Sequence, residues 1–456
     1  MRLPTPASGR LRLLVNNRKL GAASLAAADV AGKTVGFLIT PYLANTMGAA
    51  EFGALNLYLS VTQILVFAIA LGGDGLLAVE YIRNGYTSAR RLRAANLWLS
   101  LWVSVALLVV GLTVSWLAPN VVPLATGALI VAVSFVQALN VCELSYYRGA
   151  QTYSWAVAGQ FGFAVLNVGL TVLAFQFNSP TVDNRLLSIA LAGGLVQTAY
   201  LLELRRKSYE PANKAMRHSY TSMIVRFGVS IFPHVASQWI RLSVDRFIVS
   251  AYFGLAAGGI YSVAVTLAIV ESVMFSAITQ QLQPFLYRRL ANRDFSGFWR
   301  IQAWFTLAVL VFTGLYYGFL MIFFELIFTS QYNDAKTLLP ALLAGSAAQA
   351  IYHALALAPF YDRRAGQISS VTGTAMIIHV TGLGVLALSG GVTSSRVALV
   401  FFASSVIAML GMAWMSRHVV GQLRAAGSSV EGHQESQSSS GSQGHSAKSQ
   451  SQRPEL

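Results

Sequence analysis

The stretch AANLWLSLWVSVALLVVGLTVSWL, residues 94–117, carries no charged side chain, and Arg90, Arg91 and Arg93 stand directly before it. As a helix rising 1.5 Å per residue it would be about 36 Å long, enough to cross a hydrocarbon core of about 30 Å. Eleven further apolar runs read the same way: 20–44, 52–79, 121–147, 154–177, 186–204, 227–253, 258–285, 301–328, 337–360, 366–389 and 394–416. Lipid cannot satisfy backbone N–H and C=O groups, so such runs must be helical. The sequence therefore predicts an all-α polytopic membrane protein of about twelve transmembrane helices.

The cations between the runs fix an expected orientation. Of the 32 Lys and Arg residues, 26 fall in the termini and alternate loops on one side. Arg185, Lys336 and Arg396 fall on the other side, and Lys33, Arg241 and Arg246 lie inside runs. The positive-inside rule then places both termini in the cytoplasm. The chain divides into a basic N-terminus (1–19), a first lobe of six spans (20–204), a basic linker (205–226), a second lobe (227–416) and a tail (417–456). The tail is rich in Ser, Gln, Gly and His and is expected to be disordered. The N-terminal segment is expected to remain as the first helix, because its basic lead is long and the apolar run continues into a full span.

Composition narrows the class. A chain of 456 residues that is 55% hydrophobic and 11% charged is too apolar for a soluble protein of this length. Its net charge of +15 is dispersed over short loops that would face anionic lipid, which argues against nucleic acid as a partner. The single cysteine, Cys142, excludes an intrachain disulfide. P-loop, nucleophile-elbow and metal-ligand motifs are absent from the sequence, so catalysis, cofactors and ATP-driven transport by this chain alone are not expected. The enzyme-class rival is a membrane-embedded polysaccharide polymerase or ligase, which would carry a long outer loop; none is expected here.

An internal repeat shows in Gly48-Ala-Ala-Glu-Phe-Gly53 and Gly254-Leu-Ala-Ala-Gly-Gly259, whose outer glycines are each displaced by 206 residues. Two tight turns that happen to need glycine would give the same pattern. If it is a true repeat, the chain is two six-helix halves of the same polarity around a central cavity, an arrangement of transporters.

Longer motifs carry a family resemblance. Phe232-Pro233, Trp239, Ser243-Val244-Asp245-Arg246, Phe253-Gly254, Gly259-Ile260-Tyr261-Ser262 and Pro284-Phe285-Leu286-Tyr287-Arg288 form the densest part. Thr40 to Ala44 with Gly48 and Phe52-Gly53, then Tyr332 to Ala335 with Leu339 to Gly345, extend it in order over most of the chain. This set resembles the polysaccharide-export, Wzx-type flippases of the multidrug/oligosaccharidyl-lipid/polysaccharide superfamily. The resemblance implies translocation of an undecaprenyl-pyrophosphate-linked oligosaccharide from the cytoplasmic to the periplasmic leaflet of a bacterial inner membrane. A polysaccharide polymerase and a chain-length regulator are the implied partners, and the chain is expected to act as a monomer. Drug and toxin exporters of the same superfamily share the span number and stay open as the alternative.

Charges inside spans are costly, at least about 2.5–3.5 kcal/mol each on insertion scales, and so mark cavities or partners. In span seven, His234, Gln238, Arg241 and Asp245 share one helical face, with Arg241 about 20 Å into the span and Arg246 rotated by about 100° from Asp245. Arg241, Lys33 and Arg246 are the candidate cations for a pyrophosphate, and an Arg241–Asp245 pair that neutralises itself is the competing reading. Asp29 and Lys33 have the same i,i+4 spacing in span one. Glu271, then Glu143, and Asp74, together with Asp245 and Asp29, are candidates for a coupling proton or sodium ion or for a sugar hydroxyl. Gln349 and His353 in span ten could add hydrogen bonds to a sugar or across the bundle.

Overall fold

The computed structural model describes the backbone of residues 8–442, apart from 118, 120–121, 207–213 and 363, and describes side chains within residues 35–425, apart also from 204–206, 214–216 and 365. Among the described residues all regular structure is helical, and nine stretches are long and apolar enough to cross a membrane. Two of them are too long for one crossing. Val35–Leu117 has 83 residues and Arg217–Ala291 has 75, about 125 and 113 Å if straight. Their backbones turn at glycines in conformations closed to other residues: Gly48 (φ 78°, ψ 166°), Gly85 (φ 79°, ψ −174°) and Gly254 (φ 85°, ψ 169°). These breaks yield twelve crossings.

The elements follow the predicted spans, with helical ends that extend further. The first crossing ends at Gly48 and the second runs from there to Gly85, interrupted by a turn at Leu71 and Gly72, both with positive φ. The third ends at Leu117, and Leu124–Gly149, Tyr153–Phe177 and Val182–Arg206 are the fourth to sixth. Lys214–Ala291 supplies the seventh and eighth on either side of Gly254. Phe295–Ile327 is the ninth, Ala335–Leu355 with Leu357–Tyr361 the tenth, Ala365–Leu388 the eleventh and Ser394–Ser442 the twelfth.

Two expected boundaries shift. Helix covers most of the 205–226 linker, since Val182–Arg206 and Lys214–Ala291 approach it from both sides. Ile224 is buried there and the Arg217 guanidinium lies 4.8 Å from the Trp98 ring, so this end of the segment packs against its neighbours. The last helix likewise passes residue 417, with Val419 and Val420 buried. Leu, Ala, Arg and Gln after them are strong helix formers, and the helix continues to Ser442. Residues 443–456 of the expected tail lie outside the described residues.

The helices fall into two compact units. The first comprises Met1–Leu267 with Met321–Leu339 and Leu386–Ala398; the second comprises Ala268–Leu320, Pro340–Val385 and Leu399–Leu456. In the first, the repeat glycines form a crossing point. A methyl group built on Gly53 would lie 2.0 Å from Leu255 O, and one built on Gly259 would lie 2.0 Å from Ala49 O. Only residues without Cβ allow this approach, as in small-residue packing of membrane helices. Gly48 and Gly254 do make turns that need glycine, and Gly53 and Gly259, five residues on, add a reciprocal contact between the same two segments. Tyr332 seals the same neighbourhood, donating to Ala44 O at 2.8 Å and meeting the Phe52 ring edge-on.

Candidate functional site

Arg241, Asp245 and Arg246 are all buried in the seventh crossing, with side chains 4%, 4% and 8% exposed. Their i,i+4 and i,i+5 spacing brings them within one and a half turns. The Tyr261 hydroxyl, from the eighth crossing, donates to Asp245 Oδ2 at 3.0 Å. Arg246 Nη1 donates to Leu242 O at 3.2 Å and to Ser60 Oγ at 3.5 Å, while Trp239 Nε1 donates to Ser60 O at 2.6 Å. Ser60 thus ties the second crossing to the seventh. Two arginines and one aspartate are thus buried close together in this crossing, and Arg246 donates to the neutral oxygens of Leu242 and Ser60. Lys33, the third candidate cation, and Asp29, a candidate for ion or sugar contact, lie outside the residues whose side chains are described.

A second polar centre in the same unit was not foreseen as a unit. Glu143, a candidate for a coupling ion or a sugar hydroxyl, is instead bound by Arg93: Nε donates to Oε1 at 2.7 Å and Nη2 lies 2.6 Å from Oε2. Both side chains are 2% exposed. The Arg93 guanidinium also lies 4.8 Å from the Tyr146 ring and 5.5 Å from Tyr147, and Tyr147 donates to Glu203 Oε2 at 2.8 Å. Tyr147 stacks on both Tyr200 and Trp155. Arg93 had been counted as a loop cation; its burial depends on a partner 50 residues away, which no local pattern reveals. Arg185, also counted as a loop cation, is buried with Asn167 Oδ1 and Thr171 Oγ1 as acceptors at 2.5 and 2.6 Å. The i,i+4 placement of those two acceptors on one helix face was the available signal. Asp74 is half-buried beside the Leu71–Gly72 turn, and its backbone carbonyl accepts from Ser145.

The second unit holds the remaining candidates. Glu271 is fully buried in the eighth crossing. Thr313 donates to its Oε1, and its Oε2 has no hydrogen-bond partner among the described residues. Its titratable neighbour is Tyr316, one turn along from Thr313 on the ninth crossing. Gln349 is buried and donates to Ser405 Oγ at 3.5 Å, whereas His353 is exposed, so this pair does not act through one contact. His379 and Ser404 hydrogen bond at 3.2 Å, a buried polar contact missed in the sequence. Among the described residues no group of three His, Cys, Asp or Glu could hold a metal ion.

Comparison with known proteins agrees with this architecture. Residues 19–289 match the family described as polysaccharide biosynthesis protein. A Haemophilus influenzae protein named Lsg locus putative protein 1 is 24% identical over 269 residues, 58% of this chain and 65% of that one. An uncharacterized membrane protein of the same organism is 26% identical over 269 residues, 58% of this chain and 63% of its own. The chain thus spans slightly under two thirds of the length of each relative.

Among solved structures, an inward-facing multidrug resistance MATE family transporter of the MOP superfamily superimposes with a TM-score of 0.70 at 14% identity, covering 86% of this chain and 95% of that one. A MOP superfamily transporter from Pyrococcus furiosus, described as having a binding pocket of reversed polarity, gives 0.58 at 14% identity, covering 89% and 97%. Likeness at this identity establishes the two-lobed MATE-like fold. With more than half of its length matched by one family and with the membrane architecture that accompanies it, this chain belongs to the polysaccharide biosynthesis protein family.

Proposed function

We propose that this protein moves an undecaprenyl-pyrophosphate-linked oligosaccharide repeat unit from the cytoplasmic to the periplasmic leaflet by alternating access, driven by a proton or sodium ion. The observation that carries the reading is the burial of two arginines, Arg241 and Arg246, beside Asp245 in the seventh crossing. Buried guanidinium groups within a crossing favour an anionic ligand, and the guanidinium fork matches a pyrophosphate oxygen pair. Arg241 and Arg246, with Lys33, would hold the pyrophosphate. The sugars would cross in a protein-lined space while the polyprenyl tail stays in lipid, which spares the hydroxyls a passage through hydrocarbon. Glu271 is the first choice for the ion, because a buried carboxyl whose one hydrogen-bond partner among the described residues is a threonine needs a cation to be charged. The working setting is a bacterial inner membrane with both termini cytoplasmic, and a polymerase and chain-length regulator acting downstream.

Deleting the protein should abolish or shorten one surface polysaccharide and accumulate its lipid-linked repeat unit on the cytoplasmic side. Arg241→Ala should reproduce that loss with membrane insertion intact, and Arg241→Lys should restore only part. An unchanged surface glycan together with new drug sensitivity would instead support an exporter. Full transport in an Arg241→Gln/Asp245→Asn double variant would reduce Arg241 to an ion-pair partner.

A further inference from the structure

The polar centre around Arg93 and Glu143 is more than a buried pair, because a cavity of about 250 Å³ opens beside it. Tyr86, Arg90, Arg93, Tyr146, Tyr147 and Glu203 line it, at the ends of the third, fourth and sixth crossings where the basic loops lie. Its floor is deep and polar: Arg90, Arg93, Tyr146, Tyr147 and Glu203 are all buried. Its rim is accessible, with Tyr86 41% exposed and its hydroxyl held by Arg90 Nη1 at 3.1 Å.

We infer that this cavity is a binding subsite for one sugar ring of the cargo, at the side of the molecule from which the cargo would be taken up. The inference rests on the proposed glycan transport. Charge decides against a phosphate or other anion. Arg90 and Arg93 are balanced by Glu203 in the wall and Glu143 behind Arg93, so the site is neutral overall and an anion would meet the Glu203 carboxylate. A sugar fits the same groups. Its hydroxyls both donate and accept, which suits a wall holding carboxylate, guanidinium and phenol groups together. Its C–H face is apolar and packs on aromatic rings, and the wall supplies four tyrosines when Tyr81 is included. The volume falls below the roughly 300–1,000 Å³ of pockets for drug-sized ligands, so it holds about one ring rather than a chain. The stack of Tyr147 on Trp155 and Tyr200 behind the wall fixes its shape in advance, which lowers the ordering cost of binding.

The test is isothermal titration of the purified full chain in lipid nanodiscs with methyl glycosides of hexoses, 6-deoxyhexoses, N-acetylhexosamines and hexuronates, and with inorganic pyrophosphate. At least one glycoside should bind saturably, and Tyr86→Ala, which truncates only a half-exposed rim residue, should weaken it at least tenfold. Glu203→Gln, which keeps shape and removes charge, should weaken it similarly. No glycoside binding, glycoside binding indifferent to both variants, or pyrophosphate binding abolished by both would each overturn the subsite. The cargo reading is judged separately. If deletion abolishes a surface glycan while no glycoside binds, the subsite alone falls; if glycosides bind while surface glycan survives deletion, the subsite stands and the cargo reading falls.

Discussion

Glu143 and Glu271 are both carboxyl groups buried inside crossings, and their surroundings treat them in opposite ways. Glu143, in the first compact unit, faces a bidentate arginine enclosed by tyrosines, so its charge is matched on the spot. Glu271, in the second, accepts from the Thr313 hydroxyl, and its other oxygen has no hydrogen-bond partner among the described residues. A matched pair is a fixed structural part; an unmatched carboxyl can exchange a counter-ion. The contrast teaches that depth in the membrane does not by itself mark a working charge, and that the partner does.

The sharpest way to break the comparison is to remove the negative member of the matched pair. Glu143→Gln leaves the Arg93 guanidinium buried without its carboxylate, which should cost about 3–5 kcal/mol and lower the thermal midpoint in detergent markedly. Adding Arg93→Met should recover much of the loss, since no uncompensated charge then remains. If Glu143→Gln is as stable as the parent, the pair is not structural.

Glu271→Gln should do the reverse. Amide for carboxyl keeps the shape and the Thr313 contact, so the thermal midpoint should stay near that of the parent, while transport driven by an imposed ion gradient in proteoliposomes should be lost. Gradient-driven transport that survives the change would remove Glu271 from coupling.

Asp294 supplies the mild end of the scale, a carboxylate at the surface ahead of the ninth crossing. Its Oδ1 accepts the Gly297 N–H at 2.8 Å and the Ser296 hydroxyl at 3.0 Å, and Arg289 reaches Oδ2. The Gly297 N–H above all, then Arg289 and Ser296, hold this carboxyl below its ordinary value. A depressed folded value means that its cap contributes at neutral pH and is lost as pH falls through that value. Asp294→Asn should therefore lower the thermal midpoint only slightly at neutral pH, and the difference should vanish in acid. A gap that widens in acid would contradict the cap.

Much of the fold was legible because membrane crossing is a one-dimensional problem: apolar length and loop charge determine it locally. The twelve runs and the Gly48 and Gly254 breaks belong to that class. The turn at Leu71–Gly72 inside the second span was not predicted, although Gly72, Gly73 and Gly75 around Asp74 were the visible hint. The candidate sites were less legible. Arg241, Asp245 and Arg246 could be found because one helix carries them all. Arg93 with Glu143, and Glu271 with Thr313, are joined only by packing between helices 50 and 42 residues apart in sequence, which periodicity on a single helix does not encode.

The reciprocal contact of Gly53 and Gly259 has a consequence for how the two halves constrain each other. Each glycine abuts the carbonyl of the residue equivalent to its own neighbour, Leu255 for one and Ala49 for the other, so the contact is isologous: it is the interface of a two-fold dimer written into a single polypeptide. On such an axis a position effectively faces itself. A Cβ introduced at either site would push the same two backbones apart, and a compensating change on one side would have to be answered on the other. The two glycines therefore behave as one restriction counted twice, and a substitution that either segment can accept alone has to lie away from this contact.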